Sequence, residues 1–327
     1  MRSEPADRAP SLNDVRAAAG RIAGFVHRTP LEHSHRLSDA AGTAVHLKLE
    51  CWQRTRSFKV RGAHNAISLL GPAGRARGLV TASAGNHGMA VALAAREFQA
   101  KATVFIPHDA PGTKRSRILR LGAAVHDEAR DYDEAEELAR DFARYTGAAF
   151  VHAFSDPAVV AGQGTVALEI LDELPAIRDV IVPVGGGGLA AGVGIVVKAR
   201  APAARVVGVQ STETRAMYEA FRANRVVDVP VPPTLADGLA GCTDGAAYEA
   251  VRDVVEDIVL VEEAEIASAI RELHAEEGIV AEGAGAVAVA AVLSGRIRTR
   301  GPAVVLVTGG NIDGALLAGL LADVRPA

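Results

Sequence analysis

A chain of 327 residues is long enough for two lobes with a sizeable core, and 49% hydrophobic against 23% charged residues excludes a disordered protein. The formal net charge of −4 gives no basic footprint for nucleic acid, and no apolar run approaches a membrane span. The opening Met1-Arg2-Ser3-Glu4-Pro5 lacks a signal peptide's apolar core, and two cysteines, Cys51 and Cys242, are too few for a disulfide framework or a cysteine metal site, so a reducing cytoplasm is expected.

Residues 1–10 are polar and read as a loose tail. Ser11 caps a predicted helix with Leu12, Val15, Ile22 and Val26 on one face, ending before Pro30. Val45 to Glu50 alternates as a strand. Ser57-Phe58-Lys59-Val60-Arg61-Gly62 follows and opens a helix with one buried face, Val60, Ala63, Ala66, Ile67 and Leu70. The chain then alternates: strand 78–81, turn 83–88, helix to 98, strand 102–106, basic helix 113–121, strand 123–125, acid-rich helix 132–145 and strand 148–152. The second half repeats the rhythm, with helix 157–172, strand 180–184, the run Gly185-Gly186-Gly187-Gly188, a helix, strand 206–209 and helices near 213–223 and 245–255. Strand 259–261, helices 263–276 and 284–293, strand 304–307, the turn Thr308-Gly309-Gly310-Asn311 and a short helix complete it. Such alternation predicts an α/β protein of parallel sheets covered on both faces, with ligands beyond the carboxyl ends of strands. The break into lobes is expected near 70–77, with a return near 150–157.

Four stretches could carry chemistry. A lysine near buried surface loses charge stabilisation, and an amine with a lowered pKa is a nucleophile toward carbonyls. Taken alone, Lys59 reads first as a surface lysine at a helix start. The four glycines after a strand let the backbone approach a ligand and point N–H groups at an anion such as phosphate. They also loosely match a dinucleotide fingerprint, Gly186-x-Gly188-x-x-Ala191, but Gln210 stands where that fingerprint wants an acid, which weakens an oxidoreductase reading. Ser83-Ala84-Gly85-Asn86-His87-Gly88 joins strand to helix and could hold a carboxylate, with the Asn86 amide as a further hydrogen-bonding group. Thr308 brings a hydroxyl to a strand end. His33-Ser34-His35 lacks the spacing and partners of a metal site, and no His-Glu-x-x-His or Gly-x-Ser-x-Gly occurs. The acidic run 133–137 reads as a solvated helix face.

In order and spacing, SFKVRGA at 57–63, TASAGNHG at 81–88, AGQGT at 161–165, GGGGL at 185–189 and TGGN at 308–311 resemble the serine/threonine dehydratases. These are pyridoxal-phosphate enzymes of fold type II, the tryptophan-synthase-β fold, related to serine racemase. The resemblance runs from about residue 12 to 320. It implies a large cofactor-binding lobe from 1–68 and 157–327 and a small substrate-side lobe from 77–150. It implies that Lys59 holds pyridoxal 5′-phosphate as a Schiff base and that Phe58 packs beside the ring. Gly185, Gly186, Gly187, Gly188 and Leu189 would cradle the phosphate. Asn86 would bond the ring hydroxyl, and Thr308 would contact the ring nitrogen. Ser83, Ala84, Asn86 and His87 would hold the substrate carboxylate. The implied activity is elimination of water from L-threonine or L-serine, giving 2-oxobutanoate or pyruvate plus ammonia, in a cytoplasmic homodimer.

This sequence departs from the family pattern at several places. Ala84 replaces the serine that racemizing relatives use as acid/base, so elimination without substantial racemization is expected. Gln210 and Ala216 replace acidic ligands of a divalent cation, so no metal is expected there. Arg56 replaces a glycine, Glu282-Gly283 replaces Glu-Pro, and Phe154 replaces a polar residue. These changes leave open another β-hydroxy amino acid as substrate, such as hydroxyaspartate, phenylserine or an intermediate of osmolyte catabolism. With only a short helix after Asn311, control by isoleucine through an appended domain is not expected.

Overall fold

The computed structural model describes residues 9–110, 112–241 and 243–322. Cys242 and the first eight residues lie outside them. Helix α1 (Leu12–Ile22) opens with a capping box between Ser11 and Asp14. It stops at Ile22, so Val26 lies beyond it and not on its buried face as the spacing suggests. Strand β1 (Leu31–Ser34), helix α2 (His35–Ala41), strand β2 (Val45–Leu49), helices α3 (Lys59–Leu69) and α4 (Gly71–Ala76) follow. The middle of the chain is β3 (Leu79–Ala82), α5 (Asn86–Glu97), β4 (Ala102–Pro107), α6 (Gly112–Arg120), β5 (Ala124–Ala129), α7 (Tyr132–Thr146) and β6 (Ala149–Phe150). Then come α8 (Pro157–Glu173), β7 (Asp179–Pro183), α9 (Gly188–Arg200), β8 (Arg205–Ser211), α10 (Ala216–Ala223), α11 (Gly245–Arg252) and β9 (Asp257–Val261). Helices α12 (Glu263–Glu277) and α13 (Gly283–Leu293), strand β10 (Ala303–Val307) and helix α14 (Gly314–Ala322) end the described chain.

Two sheets result. One has six strands in the order β1-β2-β10-β7-β8-β9; the other has four, β5-β4-β3-β6. The four-stranded sheet takes every strand between residues 79 and 150, and the six-stranded sheet takes the rest. Strands β7 and β10 are buried at every residue, the continuous apolar run that a strand covered on both faces requires. Among the described residues, all strand pairs within the sheets are parallel except one. Edge strand β1 runs antiparallel to β2, which corrects the expectation of purely parallel sheets. Its sequence, Leu-Glu-His-Ser, is buried only at Ser34, so no apolar pattern announces it.

Helix α3 lies between the two sheets' helices, packing on α5 on one side and α8 on the other. Val60 to Ile67 are buried without a break, not on a single face. The helix can be enclosed this way because its charged Arg61 is partnered inside. Fully buried Arg61 donates to Glu50 Oε1 at 2.8 Å and Glu169 Oε1 at 2.6 Å, and buried Lys48 pairs with Glu169 Oε2 at 2.6 Å. Glycines bring the helices close: a Cβ at Gly162 on α8 would stand 2.6 Å from the Arg61 carbonyl oxygen, and one at Gly164 would stand 2.7 Å from that of Gly192 on α9.

Removing one member of such a cluster strands the others' charge. Arg61→Met is expected to lower the urea-unfolding free energy by about 3–5 kcal/mol. Arg28→Met, which breaks an ion pair with Glu173 that is half in water, should cost below about 1 kcal/mol.

Candidate active site

Three strand ends open on one space. The turn after β3, the glycines after β7 and the turn after β10 all line a cavity of about 1070 Å³, together with Phe58, Lys59 and residues of α7. Lys59 is brought there by pairing outside the sheets. Ser57 bridges Gly309, and the Phe58 N–H donates to the Thr308 carbonyl at 3.2 Å. These bonds dock the start of α3 on the end of β10.

Lys59 is the first residue of α3, where the helix dipole opposes a positive charge. Burial pushes its amine down from 10.5 to about 8. Nζ donates to the Ala153 carbonyl at 2.9 Å and lies 5.3 Å from the centre of the Phe58 ring. This is an amine with an unprotonated fraction far above that of an ordinary lysine, facing the cavity where a carbonyl reactant could reach it.

The tetraglycine bend is packed where side chains would be. A Cβ on Gly186 would collide with the Phe154 ring, one on Gly188 with the Phe154 carbonyl, and one on Gly187 would stand 2.7 Å from Val251 Cγ2. Gly187 also has φ +99°, a conformation that favours glycine. The bend ends in the first turn of α9, whose N–H groups have no acceptor within the helix. Gly185 to Leu189 line the cavity, so these donors fit a phosphate.

At the start of α5, Asn86 is held from both ends. Its Nδ2 donates to Glu282 Oε1 at 2.5 Å, and its Oδ1 accepts from Asn311 Nδ2 at 2.7 Å. One N–H of Asn86 is left for a ligand. Glu282 Oε2 also accepts from the Asn311 N–H at 3.1 Å. Burial, aided by nearby Asp237, raises the Glu282 carboxyl from 4.5 to about 7, against the hydrogen bond from Asn86. Glu282 and Asn311 were not picked out as site residues in the sequence. The available signal was a lone acid in the apolar stretch before α13.

The remaining residues fall as follows. The Ser83 hydroxyl accepts from the Gly85 N–H at 3.2 Å and keeps its own proton to donate, and Ala84 lines the cavity beside it. The His87 ring turns inward and donates from Nε2 to the Val151 carbonyl at 3.0 Å. Burial, with Lys59 nearby, lowers its pKa to about 3. A neutral ring with Nδ1 unprotonated offers a carboxylate no donor, so what His87 offers is its N–H in the first turn of α5. Thr308 is buried at the cavity wall, its hydroxyl in only a long contact, 3.4 Å, with the Ala284 carbonyl. Gln210 is outside the cavity. Its Nε2 donates to the Thr214 carbonyl at 2.6 Å, and its Oε1 accepts from the Tyr218 N–H at 2.8 Å. Arg56 sits at φ +57°, the backbone conformation that the glycine of the family pattern would adopt without strain. Among the described residues no three His, Cys, Asp or Glu side chains are grouped to hold a metal ion.

A desolvated amine, a glycine anion cup and an amide lining one cavity accompany a sequence match to the pyridoxal-phosphate dependent enzymes over residues 22–309. The chain belongs to that family. Its fold is the two-sheet, tryptophan-synthase-β-like type II fold of these enzymes. It is 46% identical over 305 residues to the L-threonine ammonia-lyase of Thermotoga maritima, covering 93% of this chain and 76% of that one. It is 39% identical over 317 residues to the catabolic L-threonine dehydratase TdcB of Staphylococcus aureus, covering 95% and 92%. Among solved structures, maize serine racemase superposes with a TM-score of 0.92 at 31% identity, covering 96% of this chain and 98% of that one. A threonine deaminase from T.th. does so at 0.87 and 37% identity, covering 93% and 99%. The family's cofactor, pyridoxal phosphate, matches the donors present.

The raised Glu282 pKa has a stability consequence. Between pH 4.5 and about 7 the folded chain keeps a proton that the unfolded chain has released, so this group's contribution falls as pH rises through that window. Glu282→Gln should remove that part of the slope. Urea midpoints of the two proteins, compared at about pH 5 and about pH 7.5, should diverge at the lower pH in favour of the wild type.

Proposed function

We propose that the chain is an L-threonine ammonia-lyase, converting L-threonine to 2-oxobutanoate and ammonia, with L-serine as a second substrate giving pyruvate. The observation that carries this reading is the desolvated Lys59 amine, lining one cavity with the glycine bend and Asn86 in a chain whose relatives bear threonine-lyase names. Bound pyridoxal phosphate supplies an electrophilic aldehyde and a conjugated ring that withdraws electrons from the α-carbon of an attached amino acid.

The protein's part follows from its own groups. Lys59 would hold the cofactor, and its Nζ would take the α-proton of the substrate. Its depressed pKa leaves a usable neutral fraction for that step. Gly185 to Leu189 hold the phosphate. The free N–H of Asn86 would serve the ring hydroxyl, and Phe58 would flank the ring. Thr308 would offer the ring nitrogen a hydroxyl and not a carboxylate. A neutral partner of that kind would leave the ring a moderate electron sink. Ser83, with the N–H groups at the head of α5, binds the substrate carboxylate. Overall, threonine loses its α-proton and β-hydroxyl as water, and the released enamine takes up water to give 2-oxobutanoate and ammonia. The two sheets would form the cores of a cofactor lobe and a substrate-side lobe. The same reading takes the enzyme as a cytoplasmic homodimer, which light scattering and cell fractionation check.

The cavity disfavours an acidic substrate. Among its lining side chains, Lys114 is paired with Asp237, and Arg140 with Glu136 at 2.6 Å, while Asp131, Asp133 and Glu137 add negative charge. A second carboxylate, as in hydroxyaspartate, would meet like charge there.

Three outcomes check this reading. In ammonia-release assays over a panel of β-hydroxy amino acids, L-threonine should be consumed fastest and hydroxyaspartate slowest. Borohydride trapping with peptide mapping should place the cofactor on Lys59, and Lys59→Ala should lose both its absorbance and turnover. Because Ala84 has no proton to deliver to the face opposite Lys59, L-serine should yield pyruvate without D-serine appearing at a comparable rate. D-serine forming as fast as pyruvate would contradict this.

A further inference from the structure

The turn between β6 and α8 touches both handles of the cofactor site, and a single imidazole shapes it. His152 Nδ1 lies 3.2 Å from the Phe154 amide nitrogen and 3.1 Å from that of Ser155, with the Ser155 hydroxyl at 3.0 Å. Main-chain N–H groups only donate, so Nδ1 is the acceptor and the neutral ring carries its proton on Nε2. Nε2 lies 3.3 Å from the Ser155 hydroxyl and 3.8 Å from Glu136 Oε1, the latter too long for a hydrogen bond, and that carboxylate is already held by Arg140.

The two residues after His152 reach the site in different ways. The Ala153 carbonyl accepts from Lys59 Nζ at 2.9 Å. The Phe154 ring fills the space that a Gly186 side chain would need, and its carbonyl does the same for Gly188. Phe154 also stands edge-on to the imidazole, with ring centres 4.6 Å apart at 85°. Losing the Nδ1 acceptor would leave two part-buried N–H groups unpaired and free both Ala153 and Phe154 to shift.

We propose that His152 is a positioning residue for pyridoxal phosphate: its unprotonated Nδ1 fastens the turn that holds Lys59 through Ala153 and backs the glycine bend through Phe154. This rests on the reading that Lys59 and the bend hold the cofactor, but not on which amino acid is the substrate.

The test compares His152→Leu, which keeps bulk but has no acceptor, with His152→Asn, whose Oδ1 can replace Nδ1. Pyridoxal phosphate is titrated into each apoprotein and binding is read from the absorbance of the bound cofactor. Leu should weaken binding by about tenfold or more and Asn by less than about threefold, since each lost hydrogen bond is worth about 1 kcal/mol. Wild-type affinity in the Leu variant overturns the proposal. Equal losses in both variants do so too, because the imidazole would then act by packing alone. Should the Leu variant fail to fold, nitrogen NMR of the histidine-labelled wild-type holoenzyme decides. The His152 signal, assigned by its absence in the Asn variant, should show Nδ1 bare and Nε2 protonated at neutral pH; the opposite tautomer or an imidazolium refutes the assignment. Borohydride mapping of the wild type reports on Lys59 separately. Cofactor on Lys59 with normal binding in the Leu variant removes only the role of His152, whereas cofactor on another lysine overturns the Lys59 reading and this inference with it.

Discussion

The primary amine of Lys59 is partly desolvated at the point where a helix start meets the end of a central strand. Desolvation and the helix dipole both act against its charge, and both come from where α3 begins. The Ser57–Gly309 bridge and the Phe58–Thr308 bond fix that point. The other features of the site line the same cavity: the glycine bend that fits a phosphate, Asn86 and Thr308.

Helix α3 can carry a functional lysine at its first turn because the rest of it is locked in place. Arg61, two residues along, sits wholly inside the protein between Glu50 and Glu169, and Lys48 shares Glu169. Two cations against two carboxylates balance formally, which is the condition under which such a group tolerates burial. The cluster joins Glu50 in the turn after β2, strand β2 itself, helix α3 and helix α8 into one unit. The glycines of the AGQGT stretch act with it, since only their missing side chains let α8 lie against α3 and α9. A stretch that reads in the sequence as a motif of uncertain purpose is thus a packing device serving the lysine.

The polar end of the cavity follows a different logic. Glu282, Asn86 and Asn311 come from three distant segments and exhaust most of one another's hydrogen-bonding capacity. What remains is one Asn86 N–H facing the cavity, with its direction set by the other bonds. The same economy appears at Gln210. Its amide bonds the Thr214 carbonyl and the Tyr218 N–H, so a neutral side chain ties together a loop that in metal-binding relatives is expected to close around a cation.

Much of this was legible along the chain, because strand and helix periods, glycine runs after strands and the five ordered motifs are local features. They gave the alternating α/β order, the parallel sheets, Lys59, the glycine bend, Asn86 and Thr308. Three things were not local. Strand β1 shows no alternation because it is an edge strand with a single buried residue, and its antiparallel direction depends on β2 beside it. The near-complete burial of α3 depends on counter-charges 11 and 108 residues away along the chain. The partners of Asn86, and the inward turn of the His87 ring, exist only once α5, α13 and the end of β10 meet. The sequence by itself determined which residues are candidates for the chemistry, since that is a matter of side-chain type and spacing. Tertiary structure alone decided their protonation and direction, because desolvation and hydrogen-bond partners are properties of the enclosed space.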